Sequence, residues 1–371
     1  MTGSMPRPFR SDSIAGQTRI SARTMSSISA SKLASARIAV TLGDPAGVGA
    51  EVTLRALTSR PRPKGSFLLV GDPGSVEDAA ARIGLAMDFP LVDSEAAAAG
   101  EIPTRGFPIL LPAGVAPLKR SERKPGKPTL AGARMAYASL LAATGLALAR
   151  RADAIVTAPL SKEWLARAQL ARTGHTEILA KLTGAKGVRL MMVAGDLRVV
   201  LVTSHMALRD VPAALDIAGV RETIAITHRH LKLWWDLQRP KVAVAALNPH
   251  AGDGGVYGDE EDRILAPAIR KARASRINAF GPVPADALFS AMGPEHDAVV
   301  ALYHDQGLIP IKQRDVHGAV NVTLGLPFVR TSPDHGTAFD RAGKAPADPR
   351  SMRAAIQLAM ELAPRHRPPH A

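Results

Sequence analysis

RIAVTLGDPAGVGAEVTLRALTS, residues 37–59, changes its periodicity halfway along. Residues 37–43 form a short, mostly apolar run closed by Gly43, the pattern of a buried strand. From Gly47 onward Val48, Val52, Leu54 and Leu57 recur at helical spacing. The exchange repeats at once: FLLVG (67–71) reads as a strand and SVEDAAARIGL (75–85) as a helix. Strands alternating with helices imply a parallel sheet covered by helices on both sides.

Downstream, a Pro/Gly-rich basic loop over 112–128 interrupts the alternation. A long Ala/Leu helix is predicted over 129–150 and a strand over 154–159. MMVAGDLRVVLVTSH (191–205) carries two apolar runs around Gly195-Asp196 and reads as a hairpin, so the sheet is expected to be mixed. A helix over 213–233, a strand over 241–247, a helix over 260–274, strands over 298–304 and 319–325, and a helix over 350–363 complete the pattern, with no fixed-period repeat.

The chain has 371 residues, 46% of them hydrophobic and 22% charged, which is a globular composition at a length that fits two domains or one large one. It has no cysteine, which excludes disulfides, thiol nucleophiles, thiolate zinc sites and iron–sulfur clusters. A reducing compartment, the cytoplasm, is the expected location. No apolar run reads as long enough to span a bilayer, so no membrane partner is expected. The net charge of +14 is concentrated locally. Arg7, Arg10, Arg19, Arg23, Lys32 and Arg37 face only Asp12 across residues 1–37, and Lys119, Arg120, Arg123, Lys124 and Lys127 face only Glu122. With 4% aromatic residues there is no basic surface interleaved with stacking side chains, so no nucleic-acid partner is expected. Residues 1–36, rich in Ser and Arg, read as a disordered basic leader, with Met25 as an alternative start.

Ligands of open α/β folds gather beyond the carboxyl ends of strands. Three predicted strands each deliver a histidine there: His205 after 198–203, His250 after 241–247 and His304 after 298–303. Three neutral imidazoles match an open divalent-metal site, although each one alone also fits a hydrogen-bonded loop residue. His228 and His230 fall on an amphipathic helix, and His366 and His370 in the tail. GHTE (174–177) opens a helix predicted over 176–183, with Thr176 as its cap and free N–H groups that attract anions. Lys312 and Arg330 are suited to clamp a phosphate or carboxylate, or to serve as surface charges. The Gly43–Gly49 loop sits where a dinucleotide fingerprint belongs, but it lacks the G-x-G-x-x-G spacing and holds Pro45, so it reads as a substrate or packing loop.

These segments resemble a known family. GDPAGVGAE (43–51), GHTE (174–177), TSH (203–205), LNPHAGDGG (247–255), YHDQG (303–307) and NVTLGLPFVRTSPDHGTAFD (321–340) are similar to motifs of the 4-hydroxythreonine-4-phosphate dehydrogenases of vitamin B6 biosynthesis, and the likeness covers residues 37–363. The resemblance implies two α/β/α domains of the isocitrate and isopropylmalate dehydrogenase kind, with the active site in a cleft at a homodimer interface. The domains would be 37–160 with 325–371, and 161–324, the latter carrying most metal and substrate residues. It implies one divalent metal (zinc, cobalt or magnesium) on His205, His250 and His304, the three histidines coming from one chain or from two. Substrate contacts would come from His175, Thr176, Lys312, Asn321 and Arg330. HGTAFDRAGK (335–344) is similar to an adenosine-binding loop, which implies NAD or NADP on Asp334, His335, Gly336, Thr337 and Asp340. Asp305, Asp286 and Lys312 are the candidates for catalytic proton transfer, Asp305 and Asp286 equally for orienting the metal ligands.

The implied reaction oxidises 4-phosphohydroxy-L-threonine to a 2-amino-3-oxo acid phosphate, which decarboxylates to 3-amino-2-oxopropyl phosphate on the way to pyridoxine 5'-phosphate. TAPLSKEWL (157–165), and Ile178 after GHTE, are closer to relatives that oxidise 4-phospho-D-threonate or 4-phospho-D-erythronate in sugar-acid catabolism. A non-enzymatic metal- and phosphate-binding protein would need only the histidines and the anion clamp.

Overall fold

The computed structural model describes residues 36–103, 106–290 and 292–366. The leader expected over 1–36 therefore lies, Ala36 apart, outside the described residues, as does His370. The strands are β1 Arg37–Thr41, β2 Ser66–Val70, β3 Leu91–Val92, β4 Ile109–Leu110, β5 Ala154–Thr157, β6 Arg189–Ala194, β7 Leu197–Leu201, β8 Val242–Ala245, β9 Ala279–Val283, β10 Ala298–Ala301, β11 Val320–Leu324 and β12 Val329–Pro333. Among the described residues they form one sheet in the order β3-β4-β2-β1-β5-β12-β11-β6-β7-β10-β8-β9. The strands from β3 to β12 pair in parallel, as do β7, β10, β8 and β9. Between these blocks, β12, β11, β6 and β7 pair antiparallel. The mixed sheet follows from the β6–β7 hairpin, as its Gly195-Asp196 turn predicts.

Alternation sets the faces of this antiparallel seam. Val320, Val322 and Leu324 of β11, with Val329 of β12, enter the core. Asn321 and Arg330 point the other way and line a cavity with Ser332. Successive strand residues face opposite sides, so the polar letters inside two otherwise apolar strands mark the face that the sheet leaves open.

The helices cover the strands largely as their spacing predicts, at Gly49–Thr58, Pro73–Arg82, Leu130–Leu148, Ile217–Trp235 and Arg350–Leu362. Two expectations are corrected. The strand predicted over 298–304 ends at Ala301, and a helix absent from the sequence reading begins at His304 and runs to Asp315. Gly307 and Pro310 hid that helix, because both are poor helix formers. A Cβ at Gly307 would lie 2.7 Å from the Leu201 side chain, so the glycine lets this helix sit directly on β7. Secondly, Leu130–Leu148 does have the length and apolar composition of a membrane span. In the fold more than half of it is buried, with Met135, Leu140, Ala143 and Ala147 packed into the core.

His230 is a core histidine. Its Nδ1 donates to the Ile226 carbonyl at 2.8 Å, and its Nε2 accepts the Gly325 N–H at 3.3 Å. Those partners demand the neutral Nδ1–H tautomer. Its ring meets Trp234 edge-on, and the indole Nε1 donates to His366 Nδ1 at 3.2 Å. His366 Nε2 in turn donates to the Pro327 carbonyl at 2.9 Å, so His366 is pinned to the β11–β12 turn. Burial, as the largest cause, pulls His230 down to about 4.

A depressed folded pKa contributes stability that is present above pH 6.5 and lost as pH falls through about 4. We expect His230→Gln to be less stable than the parent at pH 7, with the gap narrowing by up to about 3 kcal/mol towards pH 4. Urea unfolding of both chains across that range checks this, and a gap independent of pH would refute it.

Candidate functional site

β7, β10 and β8 are parallel neighbours, so His205, His304 and His250 follow three adjacent strand ends. The structure brings two of them together: the His205 and His304 rings lie 5.5 Å apart between centroids. His304 Nδ1 is 2.7 Å from Asp305 Oδ1, which leaves Nε2 with a free lone pair, the orientation a metal-binding imidazole needs. The third histidine is placed apart. Residues 250–254 are left-handed throughout, and this loop presents His250 at the surface beside Tyr257. Among the described residues no three His, Asp or Glu side chains converge as a metal-holding group. The expected three-histidine site is therefore not assembled within one chain.

The loop that carries His250 is rigidly tied. Glu261 Oε1 accepts from the Leu247 and Asn248 backbone N–H groups at 2.8 Å. The Asn248 amide donates to Glu260 and Glu261 at 2.8 and 2.9 Å. The sequence reading passed over both glutamates, since neither neighbours a histidine along the chain.

Beside His205 lies a cavity of about 560 Å³ over the antiparallel seam. Its floor holds Arg330, 2% exposed, whose Nε and Nη2 donate to Thr157 Oγ1 at 3.1 and 2.7 Å and whose Nη1 donates to Thr323 Oγ1 at 3.1 Å. No carboxylate pairs with it among the described residues. Burial, opposed by the field of Glu177, lowers its pKa to about 10, so it remains a cation at neutral pH. A buried cation held only by hydroxyls is a site prepared for an anion.

His175 begins the helix His175–Thr183 on the cavity wall. Burial, and then the charges of Arg330 and Lys162, hold its pKa well below the ordinary histidine value, so the ring is neutral. Burial foremost, then Lys162 and His304, also lower His205. The expected cap is corrected: Gly174 is the N-cap, Glu177 Oε2 accepts its N–H at 3.1 Å, and Thr176 lies inside the first turn. Lys162, which the sequence reading did not single out, lines the same cavity. Asn321 Oδ1 and His335 Nε2 are buried there without a hydrogen-bond partner. Orphaned buried polar atoms at a cavity wall point to a ligand that would satisfy them.

A second cavity, also about 560 Å³, shares Asp334 and His335 with the first and continues past Lys312, His317, Arg341 and Val48. Lys312 Nζ is 3.5 Å from Asp334 Oδ2. Burial raises the Asp334 carboxyl, while Lys312, His304 and His335 oppose the rise. Gly336 has open space where a side chain would sit, so its backbone is free to meet a ligand closely. The Gly43–Gly49 loop supports this wall from behind: Val48 N–H donates to the Thr337 carbonyl at 3.0 Å, and a Cβ at Gly47 would lie 2.7 Å from the same oxygen. The loop packs against this wall and also brings Val48 to the second cavity. Asp286 and Asp340 line neither cavity, and both are exposed.

The model of the family described as pyridoxal phosphate biosynthetic protein PdxA matches residues 64–359. A protein named 4-hydroxythreonine-4-phosphate dehydrogenase from Geobacter metallireducens is 45% identical over 332 residues, covering 88% of this chain and 95% of its own. One of the same name from Beijerinckia indica is 43% identical over 326 residues, covering 88% and 94%. The crystal structure of 4-hydroxythreonine-4-phosphate dehydrogenase from Klebsiella pneumoniae has a TM-score of 0.77 at 37% identity, covering 88% of this chain and 99% of that one.

Thr157 accepts two of the three hydrogen bonds that Arg330 makes to hydroxyls. Thr157→Val should cost about 1–3 kcal/mol by leaving buried donors unsatisfied. Guanidinium unfolding would measure the loss. An unchanged free energy would mean that this hydroxyl does not hold the guanidinium.

Proposed function

This chain belongs to the pyridoxal phosphate biosynthetic protein PdxA family, and from that premise we propose that it oxidises 4-hydroxy-L-threonine 4-phosphate with NAD or NADP. It is thus an oxidoreductase. The observation that carries the reading is the buried, carboxylate-free Arg330 at the floor of a cavity that His205 also lines, with the His304 ring 5.5 Å from that of His205. That arrangement offers an anion site and imidazole donors at the two ends of one small substrate. Arg330 and the amino end of the His175–Thr183 helix hold the substrate's anion. Asn321 Oδ1 is left to accept from a hydroxyl or ammonium group of the substrate.

His205 and His304 fit a divalent metal by donor chemistry, and imidazoles suit zinc or cobalt better than oxygen-seeking magnesium. When bound, the metal would polarise the secondary hydroxyl that is oxidised. We assign the third ligand, His250, to a second copy of the chain. Its exposed position supports this, as do the apolar side chains flanking two of the histidines: Met206 and Leu208 are 45% and 67% exposed, and Val256 and Tyr257 72% and 53%. Such residues favour burial against a partner.

Asp334 and His335, which line both cavities, and Gly336 beside them form a wall that would hold the dinucleotide next to the substrate. Thr337 serves this wall through its backbone, and Asp340 would reach a cofactor only at its edge. When bound, the nicotinamide would supply the acceptor for the hydride of the carbinol carbon, and the hydroxyl proton would pass to water in the cavity. The resulting β-keto acid loses carbon dioxide, and the carbon left behind takes a proton. We assign delivery of that proton to Lys312 Nζ, with Asp334 holding the ammonium in place. Asp305 orients His304, and Asp286 stays outside the site unless a second copy brings it there. On this reading residues 37–160 with 325–371, and residues 161–324, are two lobes flanking the cleft. Ile178 is buried in the core beneath its helix and does not line the cavity, so it lends no support to the sugar-acid substrates.

Absorbance of the reduced nicotinamide reports turnover. We expect chelator-sensitive reduction with 4-hydroxy-L-threonine 4-phosphate, and a raised KM with largely kept kcat in Arg330→Ala. His205→Ala and His250→Ala should each lose metal and activity. Co-expressed, they should recover roughly a quarter of the activity, because half the dimers are mixed and each of these holds one intact site. No recovery would place His250 in the same chain's site, and turnover untouched by chelator would remove the metal.

A further inference from the structure

Gly174 has φ −89° and ψ −173°, a conformation open to any residue, so its backbone does not require glycine. The space above it is filled by a lysine side chain. A Cβ there would lie 2.9 Å from Lys162 Cε and 3.6 Å from Nζ. The Lys162 side chain therefore crosses the amino end of the His175–Thr183 helix in contact with the bare glycine. Lys162 opens the helix Lys162–Arg167, which Ser161 caps by accepting the Trp164 N–H. From there the ammonium reaches the cavity wall within electrostatic range of both His175 and His205. It has no ion-pair partner among the described residues. The acid nearest this end, Glu177, is 3.5 Å from the same Cβ position and is engaged with the Gly174 N–H.

We propose that Lys162 is a third substrate-binding group, closing an anion pole whose other members are Arg330 and the free N–H groups at the start of the His175–Thr183 helix, and that this pole takes the phosphate dianion of the substrate. The charges suit an anion, since two cations and a helix amino end stand against one glutamate. Position supports it too, since Lys162 and Arg330 act on His175 from within the same cavity. A side chain at 174 would move the lysine from this position. The role rests on the dehydrogenase reading for the identity of the substrate, but not for the anion site itself.

Lys162 is exposed, so Lys162→Met should fold and melt like the parent. Titration calorimetry with inorganic phosphate should then show binding weakened about 10- to 100-fold, the loss expected for one charge-assisted hydrogen bond. KM for the phosphorylated substrate should rise by the same factor with kcat kept within about threefold. Unphosphorylated 4-hydroxy-L-threonine should be used equally well by both chains. Lys162→Arg should restore most of the affinity, and Gly174→Val should weaken phosphate binding by displacing the lysine. Phosphate affinity unchanged in Lys162→Met would overturn the proposal, as would an equal loss with the unphosphorylated compound, which would put Lys162 on the carboxylate. A chain that binds phosphate through Lys162 yet oxidises no phosphorylated hydroxy-amino acid would sustain the anion pole and overturn the dehydrogenase reading.

Discussion

Arg330 is a charge buried where only hydroxyl groups receive it, and much of the site's architecture follows from accommodating that charge. An unpaired guanidinium inside a protein is costly unless donors and ligand are arranged around it. Here β5 supplies Thr157 from one side and β11 supplies Thr323 from the other, so the cation is held at the boundary between the parallel block and the antiparallel seam. β12 delivers the arginine because its neighbours in the pleat, Val329 and Thr331, are taken up on the opposite face. Any ligand that brings negative charge to this spot relieves the burial, and the neighbouring neutral His175 does not compete for it.

The second constraint is a set of interlocked loops. The Gly43–Gly49 turn packs against Thr337, and Gly126 N–H donates to the Ala46 carbonyl at 2.8 Å from the other side. A Cβ at Gly126 would lie 2.7 Å from the Phe339 carbonyl, and one at Gly343 2.8 Å from Pro125. The basic loop of residues 119–127 is thus seated against the wall that faces the second cavity. Asp44 sits inside this knot, 2% exposed and with no cation partner among the described residues, and burial pushes its carboxyl up to about 6. The knot uses glycine for close backbone approach where a nucleotide fingerprint would use it for phosphate contact.

Much of this was legible from residue order. The alternation of apolar runs and amphipathic stretches placed the long helices and central strands, because burial on both faces of a strand and on one face of a helix leaves distinct periods. The histidines at 205, 250 and 304 stood out because each followed a predicted strand. The helix from His304 escaped notice because Gly307 and Pro310 break the helical pattern, and β12 because an arginine and a threonine interrupt its apolar letters. Lys162 was invisible for another reason: a lysine near a serine cap looks like any surface lysine until the glycine it crosses, twelve residues on, is seen beneath it.

By itself the sequence determined the alternating α/β class, the mixed sheet through its Gly-Asp turn, and the residue types available for metal, anion and cofactor. These are local properties, written in period and turn chemistry. Tertiary structure alone decided which of them meet. Pairing β11 with β12 and β6 turned scattered Thr, Asn and Arg letters into one polar face. Left-handed backbone at 250–254 set His250 apart from its two counterparts, and burial made one arginine an anion site while leaving other arginines as surface charges. Proximity across the sheet and withdrawal from water depend on contacts between residues up to 173 positions apart, and no local period records them.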